Sequence, residues 1–227
     1  MYNLDQLATK TIWLFREPRT GGTWLTTALQ KELKRGTAWP GETDKVIDPT
    51  TVIINFHNFK QGFEHIQEYD DPILIRTTRR NKADILISDH VRTRIGDYMI
   101  STGVPPINNI TTEEEYIYIK NIMHNRIKPF VITQREIDNF IACQKTKFDV
   151  QWNINSRECE NETVYYEDLL ESWSSSILPI TLSMKNQKQF GEGSSARLFT
   201  HKIPYDKKEL ILNYEEIVEK MEHINVF

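Results

Sequence analysis

Apolar residues fall in short runs divided by turn-forming residues, and the spacing within the runs changes along the chain. Thr11–Arg16 (TIWLFR) is a continuous apolar run closed by Glu17-Pro18, which predicts a strand. From Thr23 to Arg35 the spacing becomes helical, with Leu25, Ala28, Leu29 and Leu33 on one stripe and Gly36 placed to end it. The segment 37–49 carries Pro, Gly and Asp and reads as a loop. Thr51–Phe56 (TVIINF) and Pro72–Thr78 (PILIRTT) are β-branched and continuous, the pattern of strands buried on both faces, with a helical stretch around Gln61–Glu68 between them. Asn81–Ile100 predicts a long helix burying Ala83, Ile87, Val91 and Ile95.

After an irregular segment, Ser101–Thr111, helical patterns return near Thr112–Ile127 and Thr133–Phe148. Thr163–Tyr166 (TVYY) predicts a further short strand, and Glu167 and Asp168 are placed to cap the helix after it. The polar stretch 183–202, with Gly191 and Gly193, reads as a long loop. An amphipathic helix using Leu210, Tyr214, Ile217, Val218 and Met221 closes the chain. Strands that alternate with helices predict an α/β fold, a parallel β-sheet flanked by α-helices on both faces. With no internal repeat and no linker-like tract, 1–227 is expected to be a single domain.

Composition narrows the function classes. Net charge is −4, with 28 Lys and Arg against 32 Asp and Glu, which argues against a general nucleic-acid binder. Aromatic residues reach 11%, enough to set aside disorder. Cys143 and Cys159 form neither a disulfide framework nor a metal-ligand spacing, so no metal is expected and a reducing compartment is the simplest home. The start, MYNLDQLATK, lacks an apolar targeting core, and no stretch is apolar enough to span a membrane. A soluble, cytoplasmic protein is expected.

The stretch Phe15 to Trp24 carries the chemistry. A strand runs into a tight glycine-containing turn that opens directly into a helix, aiming backbone N–H groups and the positive helix end at one point. Gly21 and Gly22 let an anion approach the backbone, Thr20 and Thr23 add hydroxyls, and Arg19 adds a planar cation suited to phosphate. An ordinary strand–helix turn is the plain alternative. The Lys of G-x-x-x-x-G-K-[ST] is missing, so ATP or GTP hydrolysis is poorly supported.

Pro18-Arg19-Thr20-Gly21-Gly22-Thr23-Trp24 resembles the 5′-phosphosulfate loop of the sulfotransferases, written P-K-[ST]-G-T-T-W. Arg80-Asn81-Lys82-Ala83-Asp84-Ile85-Leu86-Ile87-Ser88 resembles their 3′-phosphate motif, R-N-P-x-D-x-x-x-S, and likewise follows a strand. Tyr166-Glu167-Asp168-Leu169 echoes their Y-E-D-L. The three segments occur in the family's order. The resemblance implies a three-layer architecture related to the P-loop nucleotide-binding folds, with 3′-phosphoadenylyl sulfate (PAPS) as sulfuryl donor and adenosine 3′,5′-bisphosphate (PAP) as product. Two departures stand: Arg19 replaces the usual Lys, and the late Arg-Lys-Gly cofactor segment is not evident, with Lys185, Lys188 and Arg197 as candidate substitutes.

The same resemblance implies roles. Arg19 would bridge the 5′-phosphate and the departing oxygen, and Arg80 with Ser88 would grip the 3′-phosphate. Trp24, a core-edge residue by its position, would stack on adenine. His57 follows the strand Thr51–Phe56 and so is expected at the carboxyl-end crevice, facing the phosphate loop. Its imidazole suits a general base, a role many family members give to a His at this strand end, although a lone His is also often structural. Glu42, in Trp39-Pro40-Gly41-Glu42, is the rival base by likeness to the tyrosine-sulfating branch, or a solvated turn residue. The acceptor, a hydroxyl or amine on a small molecule, saccharide or peptide, would meet the 37–50 and 101–111 loops and the helices from 112 to 150. A P-loop phosphotransferase such as a small kinase, or a non-catalytic nucleotide-binding protein with this fold, are the alternative functions.

Overall fold

Among the described residues five runs form one sheet: β1 (Ile12–Arg16), β2 (Gly36–Ala38), β3 (Val52–Phe56), β4 (Ile73–Thr78) and β5 (Glu160–Tyr165). Their order is β2-β3-β1-β4-β5 and every pairing is parallel, with Ile12 opposite both Ile53 and Ile73 and Thr78 opposite Tyr165. This computed structural model describes residues 2–38, 50, 52–67, 69, 71–107, 112–184, 205–222 and 224. It divides into two compact units, Met1–Arg80 with Ala142–Asn186 and Asn81–Ile141 with Gln187–Phe227.

In the first unit, every residue of β1, β3 and β4 is buried because both faces of the sheet are covered. Successive side chains point to opposite faces. Trp13, Phe15, Ile54 and Phe56 therefore share one core, with Phe59 and Phe63 of α3 (Phe59–Ile66), Phe148 of a π-helix (Gln144–Asp149) and Trp152 of α7 (Val150–Asn155). The rings interlock: Phe15 stacks on Phe63 with centroids 4.5 Å apart and meets Phe59 edge-on at 5.1 Å. On the opposite face α2 (Gly22–Leu33) lies over Asn55, whose Oδ1 accepts from the Thr26 hydroxyl at 2.8 Å. Leu25, Ala28 and Leu29 of α2 are fully buried, as their spacing predicts. The fold is the expected α/β type, a parallel sheet between helices. The unit is completed by α1 (Leu4–Leu7), α8 (Tyr166–Glu171) and a hairpin of β6 (Trp173–Ser174) and β7 (Thr181–Leu182).

The second unit contains α4 (Lys82–Ser101), α5 (Glu113–Asn125), most of α6 (Gln134–Cys143), α9 (Lys207–Leu210) and α10 (Tyr214–Glu222). Ala83, Ile87, Val91 and Ile95 of α4 are all buried, in a core shared with Ile119, Ile122, Ile137, Ile217 and Met221.

Four features differ from the sequence pattern. Gly36 does not end α2; the helix stops at Lys34, left-handed at φ +52°, and Gly36 opens β2. The pattern over Thr133–Phe148 is not one helix, since α6 widens into the π-helix at Gln144 and returns to α-geometry at Val150. The last helix is broken at Ile211, because the Phe130 backbone bonds to both Leu210 O and Leu212 N at 2.9 Å. Arg76 and Arg79, although charged, are buried.

Candidate functional site

All five strands end on the same edge of the sheet, and the loops that leave β1, β3 and β4 carry the candidate residues. The loop after β1 is fixed to β4 from beneath. Glu17 N–H donates to Thr77 O at 3.3 Å, and the buried Glu17 carboxylate accepts from Arg76 Nε at 2.8 Å and from Arg76 Nη2. Arg76 Nη2 also donates to Asp149 at the end of the π-helix. Burial of Arg76 works against its charge, but the two carboxylates prevail and raise its pKa. Thr20, expected to offer its hydroxyl to a phosphate, directs it inward, 2.7 Å from both Glu17 O and Thr77 Oγ1.

Arg19 and Gly21 are left-handed, at φ +62° and +76°, and turn the chain into α2. The two glycines do different work from the open approach expected of them. A Cβ on Gly21 would stand 2.8 Å from Tyr166 Cδ2, and one on Gly22 only 2.6 Å from Arg16 Nε. Their missing side chains admit the Tyr166 ring on one side and the Arg16 stem on the other. Helix α2 begins at Gly22 with no side-chain cap and no acidic residue in its first turn, so its positive end is not neutralised by its own sequence.

Arg16 adds a second positive element. The residue is 6% exposed and its Nη2 donates to the Thr23 hydroxyl. Burial brings its pKa down to about 10, so it is still protonated at neutral pH. Arg19 itself is exposed. The loop therefore gathers two guanidinium groups and a helix end, an arrangement that favours an anion.

His57 lies where the strand argument puts it. Its Nδ1–H donates to Arg16 O at 2.9 Å, joining the end of β3 to the start of the loop after β1. That bond selects the tautomer with its proton on Nδ1 and its lone pair on Nε2. Partial removal from water, reinforced by the Arg16 charge, holds the His57 pKa below the ordinary 6.5 against the opposite pull of the carbonyl bond. The imidazole is neutral at pH 7.

The end of β4 meets the start of α8. Arg80 is exposed, and its Nη1 and Nη2 donate to the two carboxylate oxygens of Asp168 at 2.7 and 2.8 Å. Its backbone N–H donates to Glu167 Oε2 at 3.1 Å, and its guanidinium lies 4.3 Å from the Tyr165 ring centroid. Buried Arg79 stacks on Tyr166 at 4.2 Å. Glu167 and Asp168 thus do not cap α8, whose N-cap Tyr165 makes no side-chain cap bond. They hold Arg80 instead.

The remaining candidates divide. Trp24 is buried, at 4% exposure, more deeply than its fringe position predicts, and its indole N–H has no hydrogen-bond partner among the described residues. Ser88 is a partly buried residue of α4 in the second unit. Glu42, Lys185, Lys188 and Arg197 lie outside the described residues. Sequence reasoning did not single out Arg16, Glu17, Tyr165 or Asp168 for the site. One signal was available: Arg16 closes an apolar strand just before the loop, where a charged side chain has little room to reach solvent.

Among the described residues no three His, Cys, Asp or Glu side chains group to hold a metal ion, and no helix is long and apolar enough to cross a membrane. No family model matches the chain, and no curated protein matches it. Among solved structures the chain is similar to the crystal structure of mouse sulfotransferase SULT7A1 complexed with PAP, at 15% identity and a TM-score of 0.38. That likeness covers 74% of this chain and 57% of the mouse protein.

Proposed function

We propose that the chain is a PAPS-dependent sulfotransferase acting on a hydroxyl or amine acceptor. The observation that carries the reading is the bond from His57 Nδ1 to the Arg16 carbonyl. It sets a neutral imidazole, with Nε2 as base, beside an uncapped helix start flanked by Arg16 and Arg19. In this reading the acceptor oxygen or nitrogen attacks sulfur and its proton passes to His57 Nε2. The bond from sulfur to the 5′-phosphate oxygen breaks, and PAP leaves with the charge. Arg19 and the loop amides stabilise that growing charge, a role for which a single well-placed donor typically supplies about 3 kcal/mol. Arg80 takes the 3′-phosphate, and the sequence resemblance adds Ser88 as its second donor. The rest of the rate comes from holding acceptor and sulfur in line.

The test is transfer of labelled sulfate from PAPS to a panel of phenols, small alcohols, saccharides and tyrosine peptides. Turnover that survives Glu42→Ala and collapses in His57→Ala supports the reading and the assigned base. Tight PAP binding with no transfer to any acceptor would point to a non-catalytic nucleotide-binding protein.

A further inference from the structure

We propose that Asp168 is a positioning residue for nucleotide recognition: it holds Arg80 in the orientation that receives a 3′-phosphate. The inference rests on the sulfotransferase reading above and adds a residue to it. Arg80 offers five N–H donors in a flat fork. Asp168 occupies the outer end of that fork, one oxygen on Nη1 at 2.7 Å and the other on Nη2 at 2.8 Å. The Nε edge, which is the other bidentate face of the group, has no partner among the described residues.

Two further contacts fix the plane. The guanidinium lies 4.3 Å from the Tyr165 ring centroid, and the Arg80 N–H is tied to Glu167 Oε2 at 3.1 Å, so the start of α8 holds both ends of the residue. This matters because the Arg80 side chain is 53% exposed. Without Asp168 it would sample many rotamers, all of which a bound phosphate would have to freeze.

Asp168 also brings a negative charge, which opposes a phosphate. Geometry prevails over charge here. The Asp168 side chain is 37% exposed, so water and salt screen its repulsion, whereas the orientation it imposes is not screened. The expected net effect is the cost of ordering one long side chain, which corresponds to about five- to tenfold in affinity.

The experiment is calorimetric titration of the full chain with PAP and with AMP, which lacks the 3′-phosphate. Asp168→Asn is expected to weaken PAP about five- to tenfold and to leave AMP within about twofold. Asp168→Glu should recover most of the loss, and Asp168→Asn should add nothing in an Arg80→Met background. If Asp168→Asn does not fold, Tyr165→Leu, which removes the ring beneath the guanidinium, takes its place with the same expected pattern. Equal or tighter PAP binding by Asp168→Asn, or equal weakening of PAP and AMP, overturns the proposal. A wild-type chain that prefers PAP while the Asp168 variant is unchanged refutes the role of Asp168 alone. A wild-type chain that binds PAP no better than AMP refutes the underlying reading as well.

Discussion

His57 donates its Nδ1 proton to Arg16 O, which leaves the ring lone pair on Nε2. Because its pKa is held below 6.5, the base form persists to lower pH than in a free imidazole. The kcat/KM profile for sulfate transfer should therefore rise with pH through an inflection below 6.5 and then level. His57→Ala should abolish that limb and lower kcat/KM by about 10²–10⁴. Arg16→Met removes a positive neighbour, so the inflection should move up toward 6.5; an unmoved inflection would contradict the coupling. Gly21 carries a different liability. Gly21→Ala must accept φ +76° and a Cβ 2.8 Å from Tyr166, and should cost about 1–3 kcal/mol by urea denaturation. At this scale the sequence displayed Arg19, the two glycines, Arg80 and His57, because each sits in a short motif or at a strand end. It hid the partners. That Thr20 turns inward and Asp168 reaches Arg80 depends on residues 57 and 88 positions away, which no local pattern encodes.

Among elements, the buried Glu17–Arg76–Asp149 group joins the loop after β1, β4 and the π-helix. Glu17 is fully buried and Arg76 is 7% exposed, so each charge depends on the other. Removing one partner strands a buried charge: Arg76→Met should destabilise by about 3–5 kcal/mol in urea denaturation, while Asp149→Asn, at the more exposed end, should cost less. Equal effects would show that the π-helix carboxylate is as deeply committed as Glu17. The same group explains an unread feature. The sequence around Thr133–Phe148 has ordinary helical periodicity, and nothing in it marks the wider turn that brings Phe148 into the aromatic core and Asp149 to Arg76. Strand β2 was unreadable for another reason. Gly36–Ala38 has no apolar run and is a strand only through its pairing with Val52–Ile54.

For the molecule as a whole, the order β2-β3-β1-β4-β5 places β1 beside both β3 and β4, so the loop after β1 emerges between the strand that presents His57 and the strand that presents Arg79 and Arg80. The continuous apolar runs of β1, β3 and β4 made this part of the fold legible, since central parallel strands buried on both faces leave that signature. The most direct test of the account is thermal denaturation of the wild-type chain with saturating PAP, compared with ATP plus Mg²⁺. At about 100 times its dissociation constant, PAP should raise the melting temperature by about 5–10 °C, with little response to ATP and Mg²⁺. Stabilisation by ATP with Mg²⁺ and none by PAP would contradict the account.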